Sequence, residues 1–376
     1  MFSPLLFLLL LLPTAFTFTS MTKPRYTVAV RSSMKADVTV EEGVKMVVGG
    51  IAKDDSIPKE MLPGLEHFVT EYLTATTTPS SSTRSVPSAI SRISTCLQLG
   101  ATHGIGPQKF KFKTSHTALR TPEFDYYEFG NEFFRPVVDE ERSVVGGREN
   151  LKEAMERVKM GENVVFLANH QSEADPQVVS LMLESVGYPT EASQITFLAG
   201  HKVTTDPLAI PFSMGRNLLC IHSKKHIDSE PELKDVKQKQ NLKTMSSMLE
   251  MLKTGGQILW VAPSGGRDRR DPGTGEIPIS PFDSKTIDMF RLMARKSKKD
   301  CHFYPFSMSS YEVCPPPDGV ESGVGERRNV RYGPVGVWVG EETKNEGGLE
   351  ARHKFCENAE EECDKNYQIL RKEIYG

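Results

Sequence analysis

A histidine and an aspartate stand five positions apart in Asn169-His170-Gln171-Ser172-Glu173-Ala174-Asp175-Pro176. A neutral imidazole can take a proton from a hydroxyl when its other nitrogen is held in one tautomer. An aspartate one helical turn away can accept that second N–H and stabilise the imidazolium that forms. Spacing alone leaves another reading open: a helix start capped by Asp175, with Pro176 at its first position and His170 facing solvent. A second stretch, Val261-Ala262-Pro263-Ser264-Gly265-Gly266-Arg267-Asp268-Arg269, sets flexible backbone beside two arginines that can fork onto phosphate oxygens. The spacing of a Walker loop is absent from it, and the alternative is a solvated turn whose arginines pair with Asp268 or Asp271. A third, Gly215-Arg216 through Ser223-Lys224-Lys225-His226, places one arginine before an apolar run and two lysines and a histidine after it. Alone it reads as a solvated charge run. The fourth, Phe303-Tyr304-Pro305-Phe306-Ser307, is a buried strand leading to the prolines at 315–317.

Each stretch is carried by an apolar segment. Asn163 to Ala168 precedes the His-Asp pair, Leu218 to Ile221 precedes the lysines, and Gln257 to Ala262 precedes the glycines. With Ile195 to Leu198 and Phe303 to Phe306 these read as short buried strands. Helical periodicity falls between them at about 149–159, 175–186, 232–254 and 281–298. Strands separated by such helices predict an α/β fold, a mixed sheet covered by helices on both faces. Val330 to Val339 adds a late strand expected at a sheet edge, and Leu349 to Tyr375 a final amphipathic helix. Asp125 to Gly130 and Phe133 to Pro136 form an aromatic connecting segment. Upstream, 37–54, 57–75 and 90–99 have helical spacing around the Thr/Ser-rich stretch 76–85, which predicts a small N-terminal helical domain over 37–110 and an α/β domain over 111–376.

Charged and apolar fractions of 25% and 38% are ordinary for a globular chain with a real core. Leu5 to Leu12 is an unbroken apolar run, too short to span a bilayer, and small residues follow it. It reads as the core of a signal peptide spanning about 1–15. Residues 16–36 contain four basic residues, no acidic ones and seven Ser or Thr, a transit-peptide composition. Import into a plastid through the secretory route is the expectation, with simple secretion as the alternative. Removing 1–36 moves the formal charge from −3 to −7, which argues against nucleic acid as the main partner. The six cysteines lack zinc-type spacing, so no metal site is expected. No run after residue 36 approaches membrane-spanning length.

Taken together, N-H-Q-S-E-A-D-P, F-S-M-G-R-N-L, A-P-S-G-G-R-D-R and F-Y-P-F-S stand in the order of the four blocks of glycerolipid acyltransferases. The chain most resembles the soluble plastid glycerol-3-phosphate acyltransferases, through Phe124-Asp125-Tyr126-Tyr127, Thr205-Asp206-Pro207 and Ser223-Lys224-Lys225-His226 as well. The resemblance covers most of 37–376. Membrane-bound relatives usually carry E-G-T-R in the third block, where this chain has Ser264-Gly265-Gly266-Arg267. It implies acyl transfer from acyl-[acyl-carrier protein], or acyl-CoA, to the sn-1 hydroxyl of glycerol 3-phosphate in the plastid stroma, giving lysophosphatidic acid. His170 would be the general base and Asp175 its orienter, with no cofactor or metal. Lys225, His226, Arg267 and Arg269 match the family's phosphate-binding positions. Arg216, Ser264, Gly265 and Gly266 join them as further candidates. An acidic acyl carrier protein would suit a basic surface at Lys234, Lys237 and Lys239, or at Arg295, Lys296, Lys298 and Lys299. The rival functions are acylation of lysophosphatidate or another lysolipid, and a non-catalytic phosphate- or lipid-binding module.

Overall fold

The computed structural model describes residues 38–55, 57–78, 85–107, 109–222, 227, 231–317 and 327–376. The signal and transit segments therefore lie outside the described residues, as do Lys225 and His226. Three helices come first: α1 (Val40–Ile51), α2 (Leu62–Thr77) and α3 (Val86–Gly100). A capping box starts α1, where the Glu42 amide donates to Thr39 Oγ1 at 3.2 Å and the Thr39 amide donates to Glu42 Oε2 at 2.9 Å.

The described strands form one mixed eight-stranded sheet in the order β1-β5-β4-β6-β3-β7-β8-β2. They are β1 (Ser115–His116), β2 (Val144–Gly146), β3 (Asn163–Ala168), β4 (Thr196–Gly200), β5 (Asn217–Ile221), β6 (Ile258–Val261), β7 (Cys301–Ser309) and β8 (Gly336–Val339). The central five, β5-β4-β6-β3-β7, are parallel, and β3 is buried along its whole length. Burial on both faces is why these strands are continuous apolar runs in the sequence. Their side chains alternate between two cores. Val164, Phe166 and Ala168 face α5 (Arg148–Lys159), α6 (Asp175–Ser185) and the N-terminal helices. Val165 and Leu167 face α9 (Lys234–Thr254), α10 (Ser284–Ser297) and α11 (Arg352–Tyr375).

Two expectations need correcting. The late strand β8 is not at the edge: it pairs antiparallel with β7 and parallel with β2, and β2 takes the edge. The aromatic segment is a helix, α4 (Tyr126–Phe134), because the Asp125 carboxylate accepts from the Glu128 amide at 3.0 Å and caps it. Its aromatic face packs on the N-terminal helices, with Tyr72 stacked on Phe133 at 4.1 Å between ring centroids. The short helices α7 (Pro189–Gln194) and α8 (Ile210–Met214) complete the fold. All six cysteines are free.

Candidate active site

Parallel strands end on a common side, and the loops leaving β3, β4, β5, β6 and β7 all emerge there. In open α/β sheets this carboxyl edge is the usual ligand side. Beyond β3, Asn169 continues the sheet with its side chain. The Met308 amide donates to Asn169 Oδ1 at 2.7 Å, and Asn169 Nδ2 donates to the Met308 carbonyl at 3.1 Å. The next residue, His170, therefore leaves the sheet at a fixed point. Its side chain is 28% exposed, and its Nδ1 lies 2.7 Å from Asp175 Oδ2. The indole of Trp260 meets the imidazole edge-on, 5.8 Å between centroids.

Asp175 opens α6, yet its carboxylate turns back over the preceding residues instead of capping the helix. Its Oδ2 accepts from the Gln171 amide at 2.8 Å. Its Oδ1 accepts from the Ser172 amide and hydroxyl, both at 3.0 Å, and from Ser310 Oγ at 2.6 Å. Complete burial alone would push this carboxyl up; the His170 hydrogen bond and charge, with the Ser310 and Gln171 donors, outweigh it and leave it below the ordinary range. An ionised Asp175 fixes the proton of His170 on Nδ1 and leaves Nε2 as the nitrogen able to accept another. Ser310 was invisible in the sequence, because it arrives from the end of β7.

The turn after β6 is closed by the Gly265 amide donating to the Ala262 carbonyl at 3.1 Å. Gly265 has φ +68°, a conformation that favours glycine, and Gly265 and Gly266 are exposed. Ser264 Oγ donates to the Gly266 carbonyl at 3.0 Å. The following residues alternate in direction. Asp268 points inward and is fully buried, accepting from Asn169 Nδ2 at 3.0 Å and from the Ser280 amide at 2.8 Å, while its own amide donates to the His170 carbonyl at 2.6 Å. Arg267 reaches Glu173 Oε1 at 3.6 Å, and Arg269 Nη1 donates to the Pro317 carbonyl at 2.6 Å. Asp268 is thus no surface partner for its neighbours, but the hub joining the Asn169–Gln171 turn to the arginine loop. Gln171 extends that hub, donating from Nε2 to Tyr367 Oη at 2.9 Å on α11 and accepting the Ser310 amide on Oε1 at 2.9 Å.

Arg216 does not join this edge. It precedes β5, at the opposite end of the parallel strands, and is buried there with Nη1 donating to Ser180 Oγ at 2.7 Å and Nη2 donating to Asn131 Oδ1. Its guanidinium lies 4.5 Å from the Tyr127 ring, and burial pulls it down to about 10. The side chain ties α4 and α6 to the sheet. Of the lysines considered for carrier docking, Lys234 and Lys239 are exposed while Lys237 is buried; Arg295, Lys296, Lys298 and Lys299 are exposed.

A base in a fixed tautomer, beside a loop that presents arginines, suits proton removal from an alcohol that also carries an anion. A family profile described as Acyltransferase matches residues 142–309, which span β2 to β7. The chain is 36% identical to the chloroplastic glycerol-3-phosphate acyltransferase of Arabidopsis thaliana over 341 residues, 87% of this chain and 72% of that one. It is 40% identical to a chloroplastic glycerol-3-phosphate acyltransferase of Cucurbita moschata over 275 residues, 71% of this chain and 59% of that one. The Spinacia oleracea enzyme of the same name is also 40% identical, over 71% of this chain and 58% of its own.

Proposed function

The chain belongs to the glycerol-3-phosphate acyltransferase family, and from that premise we propose that it moves a fatty acyl group from acyl-[acyl-carrier protein] or acyl-CoA to the sn-1 hydroxyl of glycerol 3-phosphate. His170 Nε2 takes the hydroxyl proton as the oxygen attacks the thioester carbonyl. The new C–O bond gives a tetrahedral intermediate, the C–S bond breaks, and the departing thiolate recovers the proton from the imidazolium. The products are 1-acyl-glycerol 3-phosphate and the free carrier thiol. Asp175 stays ionised throughout, holding Nδ1–H and offsetting the transient positive ring.

The acceptor's phosphate would be held by Arg267 and Arg269, joined by Lys225 and His226, which follow β5 in the sequence. Clamping the dianion there turns the sn-1 hydroxyl toward His170, and positioning of this kind contributes several kcal/mol, up to roughly 7–11 in ideal cases. A plastid setting follows from the targeting composition of residues 1–36 and agrees with the chloroplastic names of the relatives.

The observation that carries this reading is the 2.7 Å His170–Asp175 contact on the strand edge from which the arginine loop also leaves. His170→Ala should lower kcat by about 10²–10⁴-fold while circular dichroism stays unchanged, the loss expected for a general base. Turnover within a few-fold of wild type overturns the assignment. Running the assay with both acyl-carrier and CoA thioesters identifies the donor.

A further inference from the structure

Residues 262–283, between β6 and α10, form no helix or strand, so the course of the arginine loop is set by what its limbs touch. The outward limb carries Arg267 and Arg269 and is tied to the Asn169–Gln171 turn at Asp268. Beyond them the Asp271 amide donates to the Glu276 carbonyl at 2.7 Å, which folds the chain back. The returning limb is held by α11. Tyr367 Oη donates to the Ile277 carbonyl at 2.9 Å, Glu360 Oε2 accepts from the Phe282 amide at 2.7 Å, and Arg371 pairs with Glu276. Residues 360, 367 and 371 recur at helical spacing and share one face of α11.

The Tyr367 hydroxyl has a second partner, accepting from Gln171 Nε2 at 2.9 Å. The other end of Gln171 settles that orientation: its Oε1 accepts from the Ser310 and Tyr311 amides at 2.9 and 3.1 Å, so Nε2 faces the phenol. Tyr367 is 1% exposed, and burial pushes its phenol well above the ordinary range, so the proton given to Ile277 stays in place. We propose that α11 positions the arginine loop for the acceptor's phosphate, with Tyr367 as the positioning residue: one buried hydroxyl bridges the turn that presents His170 and the loop that presents Arg267 and Arg269. Glu360 fixes the far end of the same limb. The inference rests on the reading of those arginines as phosphate ligands. Tyr367→Phe takes the donor from the buried Ile277 and leaves Gln171 Nε2 with only a long, 3.5 Å approach to Asp268 Oδ2. Buried polar groups deprived of partners move to find others, and here both lie on segments that carry the site.

Steady-state kinetics with glycerol 3-phosphate as the varied substrate tests this, with circular dichroism as the check on folding. Tyr367→Phe should raise KM for glycerol 3-phosphate about fivefold, with kcat within about threefold and KM for the acyl donor within about twofold of wild type, the pattern of lost acceptor binding. Simple loosening of the fold would lower the amount of active enzyme and leave KM alone. Phe355→Leu supplies that comparison, because Phe355 is buried on the same helix against Phe303. It should lower the melting temperature and leave KM for glycerol 3-phosphate within about twofold of wild type. A native-like KM in folded Tyr367→Phe, or an equal rise in Phe355→Leu, overturns the proposal. Should Tyr367→Phe fail to fold, Glu360→Ala decides: it keeps the phenol, frees the Phe282 amide and should raise the same KM about threefold, and an unchanged value overturns the proposal. Arg267→Ala is measured in parallel. If its KM rises while that of Tyr367→Phe does not, only this inference falls; if its KM is unchanged, the phosphate reading fails and takes the inference with it.

Discussion

Two carboxylates buried within the same loop cluster, Asp175 and Asp268, are driven in opposite directions by their surroundings. Asp175 has an imidazole, two amides and two hydroxyls to satisfy it, and it is held ionised. For Asp268 burial wins: its carboxyl is pushed from the ordinary 3.8 up to about 6, against partial compensation from Asn169 and Ser280. Raising the folded value means that the folded chain binds this proton more tightly than the unfolded one between about pH 4 and 6. Stability from this group is therefore present at low pH and is lost as pH rises through that window. Asp268→Asn has no such titration. Relative to wild type, the variant should gain about 3 kcal/mol between pH 4 and 6.5, taking roughly two pKa units at 1.36 kcal/mol each. Urea unfolding at a series of pH values measures this, and a constant gap would refute the buried, half-compensated carboxyl. Asp175 has the opposite sign, its contribution being lost as pH falls. The spacing of His170 and Asp175 was readable from sequence because both lie in one turn. The inward aim of Asp268 was not, because arginines on both sides made a solvated ion pair the simpler expectation. The tie made by Tyr367 carried no local signal at all, since Gln171 and Ile277 lie far away in the chain.

At the scale of elements, what could be read was whatever repeats. The central strands are unbroken apolar runs, and β3, β4, β5, β6 and β7 lie where those runs predicted them. Helices α5, α6, α9, α10 and α11 follow their periodicity in the same way. The elements that escaped are too short to repeat: β1 has two residues and β2 three, and both are held by pairing with β5 and β8. Helix α4 escaped for another reason, since its run of aromatics masked the Asp125 cap. The same helix explains a glycine in the second block. A Cβ at Gly215 would lie 2.3 Å from the Tyr126 carbonyl oxygen, so the turn before β5 and the start of α4 touch backbone to backbone. Gly215→Ala should force them apart and destabilise the fold by about 1–3 kcal/mol, the usual cost of overpacking. Guanidinium denaturation reads the change, and an unaltered midpoint would disprove the close approach.

Across the whole molecule, the N-terminal helices and one face of the sheet belong to the same apolar core. Leu65, Phe68, Tyr72 and Leu73 of α2 are buried with Phe133, Val164 and Phe166, and Tyr72 Oη donates to the Phe133 carbonyl at 2.9 Å. Helical spacing predicted a small N-terminal helical domain over 37–110; such periodicity reports that a face is apolar and not what covers it. Shared burial of this kind predicts one cooperative transition. Both tryptophans, Trp260 and Trp338, lie on the sheet, so fluorescence follows the sheet while far-ultraviolet circular dichroism follows every helix. The two thermal midpoints should coincide, and a separation of several degrees would show that the N-terminal helices melt on their own.

The free cysteines give the two cores of the protein an internal clock. Cys96 is packed within the N-terminal helices, Cys220 on β5 and Cys363 beneath β7, and burial pushes their thiols up to about 12, 11 and 12 respectively. In the closed molecule almost none is the reactive thiolate, and none faces solvent. An alkylating reagent must wait for the surrounding structure to open, so the pace at which each sulfur is capped records how often its own layer of the protein breathes.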